Sequence, residues 1–436
     1  MAVEVEAGLK IAHTQFAGIL LCCMILTSIL HGISPTFPAW IAGLFGWSAG
    51  LLLVSDVRGI PRIQAVIMLV LGSLGLLYGA YTQGEADYLK AVAANQALLS
   101  MLAAVSFLKL ITLTATNKVD ILPTGKRAMW RTLLGVHLFG AVINLSAIMI
   151  VGDRQSRHSP LSPAQATVLS RGFAMAANWS PFFAAMGVAL TNAPGAELSV
   201  ISPVGLPIAM IALAWSGWQL TRQFDVDNYE GYPLHFGSLW IPGLLAIAVL
   251  LTHHNFPSLP ILTLISLLSV SLTLLVMTMR KEQSSRARIV DFVTYDLPGL
   301  RGELMLFLSA GVFAAGISSV IRATGFDLVP DSFGASEASL LLLVMTLLSI
   351  LGIHPVISIV TASGLILPAS PDMNLLAMTF LMTWSIGVCV SPLSGLSLAI
   401  QGRYNINSFN FLNWNGMFAL LLLGLDILVL HLMEWY

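Results

Sequence analysis

The sequence predicts an all-α polytopic membrane protein of about eleven transmembrane helices plus two re-entrant hairpins, arranged in two inverted-topology repeats. Three observations predict it. Of 436 residues, 57% are hydrophobic and only 9% are charged, where soluble domains carry about 25% charged residues; the mean hydropathy is +0.86. The apolar residues fall in runs of helix-spanning length, not in the ~10-residue alternating segments of a barrel. The order of runs, together with the loop charges, repeats once along the chain.

The runs lie at about 16–33, 37–55, 61–81, 91–115, 124–151, 164–192 and 198–221, then 232–253, 260–280, 300–323, 337–367, 375–401 and 408–434. The first lacks a small-residue cleavage pattern and reads as a retained helix. Cys22, Cys23 and Cys389 sit in apolar runs, and their spacing fits neither a metal site nor a disulfide framework. The net charge of -1 excludes a global basic surface for nucleic acid.

Loop charges set the topology. Arg58 and Arg62, then Lys118, Lys126, Arg127 and Arg131, then Arg280, Lys281, Arg286, Arg288 and Arg301 mark three cytoplasmic loops. The loop at 82–90, with Glu85, Asp87 and Lys90, is expected outside. So is 324–336, which holds Asp327 and Asp331 and no basic residue. Strict alternation of single spans puts the Arg280–Arg301 loop outside. Making 124–151 and 337–367 hairpins restores agreement, and Arg154 and Arg157 then also fall inside. The N-terminus is then cytoplasmic and the C-terminus outside; the expected location is the bacterial inner membrane. The alternative makes the two Ser-Pro runs the hairpins and leaves Arg154 and Arg157 outside.

Both Ser-Pro runs should be broken. Ser180-Pro181 lies inside 164–192 and Ser391-Pro392 inside 375–401. Proline removes an N–H donor and clashes with the carbonyl four residues back. Broken backbone at membrane depth survives where it lines a site or is buried in protein. A shift of 211 residues superimposes the two Ser-Pro pairs and brings Asn144 onto Pro355, beside His354. The reading divides the chain into an extra helix at 1–36, a first repeat at 37–221 (hairpin 124–151, broken helix 164–192) and a second at 222–436 (hairpin 337–367, broken helix 375–401). Five spans per half is an odd number, so the halves are inverted.

At these residues the chain resembles the ion transporter superfamily, which includes divalent anion–sodium symporters, citrate carriers, arsenite pumps and sodium–proton antiporters of related fold. The resemblance is carried by element order from about Ala39 onward. Its motifs are Ile143-Asn144-Leu145-Ser146, Gly352-Ile353-His354-Pro355 and the two Ser-Pro breaks, with Glu303 at a family-like position. Both tips depart from the family's Ser-Asn-Thr pattern. The resemblance implies that hairpin tips and helix breaks meet to bind substrate and cation. The implied contacts are Asn144, Ser146, His354 and Pro355 from the tips, and Asn178, Ser180, Pro181, Cys389, Ser391 and Ser394 from the breaks. It also implies pairing of two copies.

The physics of a break supports an anion site. Free N–H groups at a half-helix N-terminus carry partial positive charge and hold carboxylates without a basic side chain; free carbonyls can hold Na⁺. Gly387, Gly395, Ala176 and Ala177 leave room for a ligand at the backbone. The plainer reading is that each Ser-Pro is only a kink whose hydroxyl satisfies a freed backbone group. Two such pairs at equivalent places favour a site. His354 reads as a packed histidine or as a site residue, and Asn144 as a site residue or as an interhelical hydrogen bond. Trp179, Phe182 and Phe183 read as packing. Lys109 is expected to snorkel and Glu303 to complement a helix start. Asp426, deep in the last run, reads either as a proton carrier or as a residue facing a neighbouring helix. His31, His253 and His254 read as interfacial.

No Walker loop, nucleotide fingerprint or metal-hydrolase motif is present. The expected function is secondary active transport of a small anion, an organic carboxylate, coupled to Na⁺ or H⁺ by alternating access against a scaffold of early spans. No cofactor is expected, Na⁺ being a candidate coupling ion; the other partner is membrane lipid. The rivals are a cation–proton antiporter of the same superfamily and a membrane subunit that transports nothing.

Overall fold

The computed structural model describes residues 2–83, 87–112, 122–232, 240–280, 285–324 and 332–435, with only the backbone for 2–11 and 241–242. Expectations placed on Glu85, Lys118, Lys281, Asp327 and Asp331, and on the start of the 232–253 run, lie outside the described residues. Among those described the chain is all helix, with one isolated antiparallel bridge between Thr124 and Glu230.

In chain order the helices are α1 (Ala2–Ile33), α2 (Ala39–Leu53), α3 (Ile60–Gln83), α4 (Tyr88–Ala93), α5 (Gln96–Ser106), α6 (Lys109–Thr112), α7 (Lys126–Ile143), α8 (Ser146–Gln155), α9 (Pro163–Ala174) and α10 (Ala184–Asn192). There follow α11 (Leu198–Gln223), α12 (Trp240–Asn255), α13 (Ile261–Met279), α14 (Ser285–Asp291), α15 (Arg301–Thr324), α16 (Ala335–Ile350), α17 (Pro355–Ile366), α18 (Met373–Val390), α19 (Gly395–Tyr404) and α20 (Asn410–Glu434). Among the described residues, nine helical stretches are long and apolar enough to cross a membrane. The protein is an all-α integral membrane protein.

Local chemistry sets many of the starts. Ser162 and Gln165 form a reciprocal capping box, with Pro163 at the first helical position of α9. Asp87 caps α4 and Asp372 caps α18, each accepting the backbone N–H three residues on.

Two expected elements differ. The 91–115 run is not one helix: the chain turns at Asn95, whose φ of 61° ends α4, and its Nδ2 donates to the Phe307 carbonyl oxygen at 2.8 Å. Asparagine tolerates this backbone region, and its amide ties the turn to α15. The basic segment before residue 300 is helical from Ser285, running through a π-turn (Phe292–Asp296) and a 3₁₀ turn (Leu297–Leu300) into α15. Pro298 sits in the first turn of the latter, where no N–H is required.

The chain forms two compact units, each drawing on both halves of the sequence. The first holds residues 1–114 and 241–327, the second 115–240 and 328–436. In the first unit α3 packs along α15. Small residues allow the close approach that membrane helices need: a Cβ on Gly75 would fall 2.6 Å from the Gly316 carbonyl oxygen.

The second unit contains one sequence of elements twice: helix, tight turn, helix; then helix, break, helix; then a plain helix. The starts of α16, α17, α18, α19 and α20 follow those of α7, α8, α9, α10 and α11 by 209 to 212 residues. Within it α7 packs on α8 and α16 on α17, while α10 packs on α17 and α18. The return arm of each turn thus meets the far half of the other copy's broken helix. The Asp153 carboxylate of α8 takes Arg403 of α19 at 2.5 and 2.6 Å, and Ser363 of α17 donates to the Asn192 carbonyl oxygen that ends α10, at 2.7 Å.

Candidate functional site

All ten residues assigned to the site from the sequence lie in the second unit. Lys109 and Glu303 belong to the first.

The first tip is built on Asn144. Its φ of 50° and ψ of -140° approximate the first central position of a type II′ turn, normally glycine. Its amide repays the strain by spanning the neighbouring break: Nδ2 donates to the Phe182 carbonyl oxygen at 3.0 Å, and Oδ1 accepts the Ala184 N–H at 3.3 Å. An orphan N–H at the start of α10 is thereby satisfied. Ser146, two residues on, opens α8 half-buried.

α9 tightens into a 3₁₀ turn over Met175–Asn178 and stops, and the chain crosses Trp179–Phe183 before α10 begins. Pro181 sets this gap, and Ser180 folds it: its hydroxyl donates to the Ala141 carbonyl oxygen of α7 and accepts the Phe182 N–H at 3.2 Å. Trp179 is held by His137, its Nε1 donating to His137 Nε2 at 3.1 Å, while His137 Nδ1 meets the Gly172 carbonyl oxygen at 3.1 Å. An indole only donates and a carbonyl only accepts, so His137 is the neutral tautomer with its proton on Nδ1. Asn178 is 0% exposed, and neither its Nδ2 nor its Oδ1 has a partner. Each unmade bond costs about 1–3 kcal/mol. α11 presses directly on this point: a Cβ on Gly205 would fall 1.8 Å from the Asn178 carbonyl oxygen.

The second copy repeats the chemistry at Ser391. Its hydroxyl accepts the Leu393 N–H at 3.3 Å, the counterpart of the Ser180–Phe182 bond 211 residues earlier, and its carbonyl oxygen accepts the Ser397 hydroxyl at 2.8 Å. Ser394 caps α19 through the Ser397 N–H at 3.1 Å and donates to the Val388 carbonyl oxygen at 3.0 Å, stitching across the break. The second tip turns at Gly352, whose φ of 98° suits glycine and where a Cβ would meet Leu393 at 2.4 Å. His354 caps α17: its Nδ1 accepts the Val356 N–H at 3.2 Å, and its ring stands edge-on to Trp384 with centroids 5.4 Å apart. Pro355 takes the first helical position.

Between the two copies lies a group that sequence reasoning missed. Arg171 of α9 is 0% exposed. Its Nε donates to Asn415 Oδ1 at 2.9 Å, its Nη1 to Gln219 Oε1 at 2.9 Å and its Nη2 to the Trp414 carbonyl oxygen at 2.7 Å, and it stacks on Phe418 at 4.5 Å. All its hydrogen-bond acceptors are neutral. Asn415 relays the cluster to α18, donating to Ser170 Oγ at 3.1 Å and to the Cys389 carbonyl oxygen at 2.7 Å. Cys389 takes part through its backbone. The signal in the sequence was the lone cation inside the 164–192 run, since an ionisable residue at membrane depth is a functional candidate by default.

The unit thus brings both tips to their breaks, a buried unpaired amide to the first break, and a buried cation to the end of α18. Among the described residues no group of three or more His, Cys, Asp or Glu side chains is placed to hold a metal ion. The chain matches no protein-family model and no curated protein.

Proposed function

We propose that this protein is a secondary active transporter of a small anion, an organic carboxylate, coupled to Na⁺ or H⁺ by alternating access. The observation that carries the reading is Arg171: a wholly buried guanidinium held by neutral oxygens, in the unit that holds both helix breaks. A buried charge is costly unless paired, and a carboxylate substrate is a partner of the right sign. Asn178 adds an amide able to donate to an anion and to accept from its hydroxyl or acid group.

The duplicated order of turn, break and plain helix supports two repeats inverted across the membrane, as in many secondary transporters. It also agrees with the resemblance to the ion transporter superfamily. In this reading the two turns are re-entrant hairpins, the second unit carries the substrate, the first is scaffold, and the N-terminus is cytoplasmic. The test is uptake of a carboxylate panel into proteoliposomes, with Na⁺ and pH gradients varied separately. Gradient-driven accumulation of a carboxylate is expected; a Na⁺-driven pH change with no anion uptake would establish the antiporter reading in its place.

A further inference from the structure

The second unit buries another ionisable group, remote from the breaks. Asp426 of α20 is 0% exposed, and neither of its carboxyl oxygens has a hydrogen-bond partner. The helices packed on α20 are α16, α18, α11 and α9. Their ionisable groups are Glu337 on α16, Cys389 on α18, Arg222 on α11 and Arg171 on α9; α20 itself adds His431 and Glu434.

None of these reaches Asp426. Glu434 accepts the Ala335 N–H at 3.1 Å, which ties the end of α20 to the start of α16. Eight residues of helix then set Asp426 about 12 Å deeper, level with Leu342 and within about a turn of Thr346. Glu337 is spent at the α16 start, accepting the Gly334 N–H at 2.9 Å. Arg171 stacks on Phe418, again eight residues or about 12 Å along α20. Arg222 stacks on Trp218 at 4.2 Å, toward the end of α11 beyond Gln219, which serves Arg171. His431 Nδ1 meets the Ile427 carbonyl oxygen at 2.9 Å and is exposed. On this stretch of α16 Leu342 is wholly buried, and Thr346 Oγ1 is itself buried without a partner.

We propose that Asp426 is the proton site of this protein, carrying a proton in the conformation described and releasing it when the packing of α20 on α16 and α18 opens to water. The carboxylate form would sit with no counter-charge and no donor, the costliest state for such a group. The carboxylic acid needs neither. Proton uptake from water converts one to the other, so the change of protonation and the change of packing exclude one another's opposite. Resting on the anion-transport reading above, this makes H⁺ the coupling ion and places its site apart from the anion's.

Infrared difference spectroscopy on the purified full-length protein tests the proton site without any substrate. A protonated-carboxyl band at neutral pH is expected in wild type, shifted in D₂O and missing in Asp426→Asn, which is isosteric with the acid and should fold. Proteoliposomes test the coupling: Asp426→Asn should keep anion exchange and lose accumulation driven by a pH gradient, about tenfold or more, while Asp426→Glu restores part of it. Identical wild-type and Asp426→Asn spectra, or a variant that still accumulates anion on a pH gradient, would overturn the proposal. Wild type that shows the band yet transports no anion would leave the proton site standing and sink the anion reading.

Discussion

Asn144 donates from its side chain to the Phe182 carbonyl oxygen at 3.0 Å, so the turn that ends α7 holds the gap that follows α9. A strained backbone position and an interrupted helix complete one another's hydrogen bonds. Two substitutions separate the effects. Asn144→Gly removes the amide but relieves the positive φ, whereas Asn144→Ala removes the amide and keeps the strain. Loss of two hydrogen bonds should cost about 1–3 kcal/mol. Thermal unfolding in detergent should therefore place Asn144→Ala below Asn144→Gly and both below wild type. Equal unfolding of all three would mean the bridge carries no stability.

Arg171 needs both its charge and its fork. Arg171→Gln removes the buried cation and should abolish anion uptake. Arg171→Lys keeps the charge but cannot reach Asn415, Gln219 and Trp414 together, so it should raise KM by tenfold or more. Counterflow with the best carboxylate of the panel reads both, and unchanged uptake in Arg171→Gln would remove the main support for an anionic substrate.

Gly205 is where α11 closes on the first break. Gly205→Ala must displace the Asn178 backbone, at about 1–3 kcal/mol, and should lower substrate affinity with it. Gly424→Ala, where an added Cβ meets nothing within 4 Å, is the matched control and should keep both stability and uptake. Similar losses in the two variants would argue that the close approach is incidental.

Ser180 and Ser391 fold equivalent turns, each accepting the N–H of the residue after its proline. Alanine at either site should loosen the break and weaken transport. Ser180→Ala should lose more stability, since its hydroxyl also donates to Ala141. Full transport in both variants would reduce the serines to kink supports.

Inversion of the halves can be read from the surface. Cysteines introduced at Gly84 and Ser284, in a background without the three native cysteines, should react with impermeant maleimide from opposite sides of the membrane. Labelling from one side would refute the inverted arrangement.

Much of the scaffolding is local and therefore legible in order. Apolar runs of spanning length identify α2, α3, α11, α13 and α20, because hydropathy and length are properties of contiguous residues. The Ser-Pro pairs mark both breaks, since a missing N–H interrupts a helix wherever it lies. The positions of Asn144 and Gly352 mark both turns, since each is a residue that tolerates positive φ. The interruption at Asn95 stayed hidden because its amide bonds to Phe307, far along the chain.

Partnership was decided only by tertiary structure. Arg171, Asn415 and Cys389 are neighbours through hydrogen bonds that span 244 and 26 residues. His354 became a helix cap rather than a free imidazole because Val356 turns its N–H toward it. That Asn178 and Asp426 are buried without partners is a property of everything packed round them. Apolar periodicity and proline chemistry act through the chain and can be read along it. Charge compensation acts through space, and only the fold brings Arg171 to neutral oxygens and Asp426 to none.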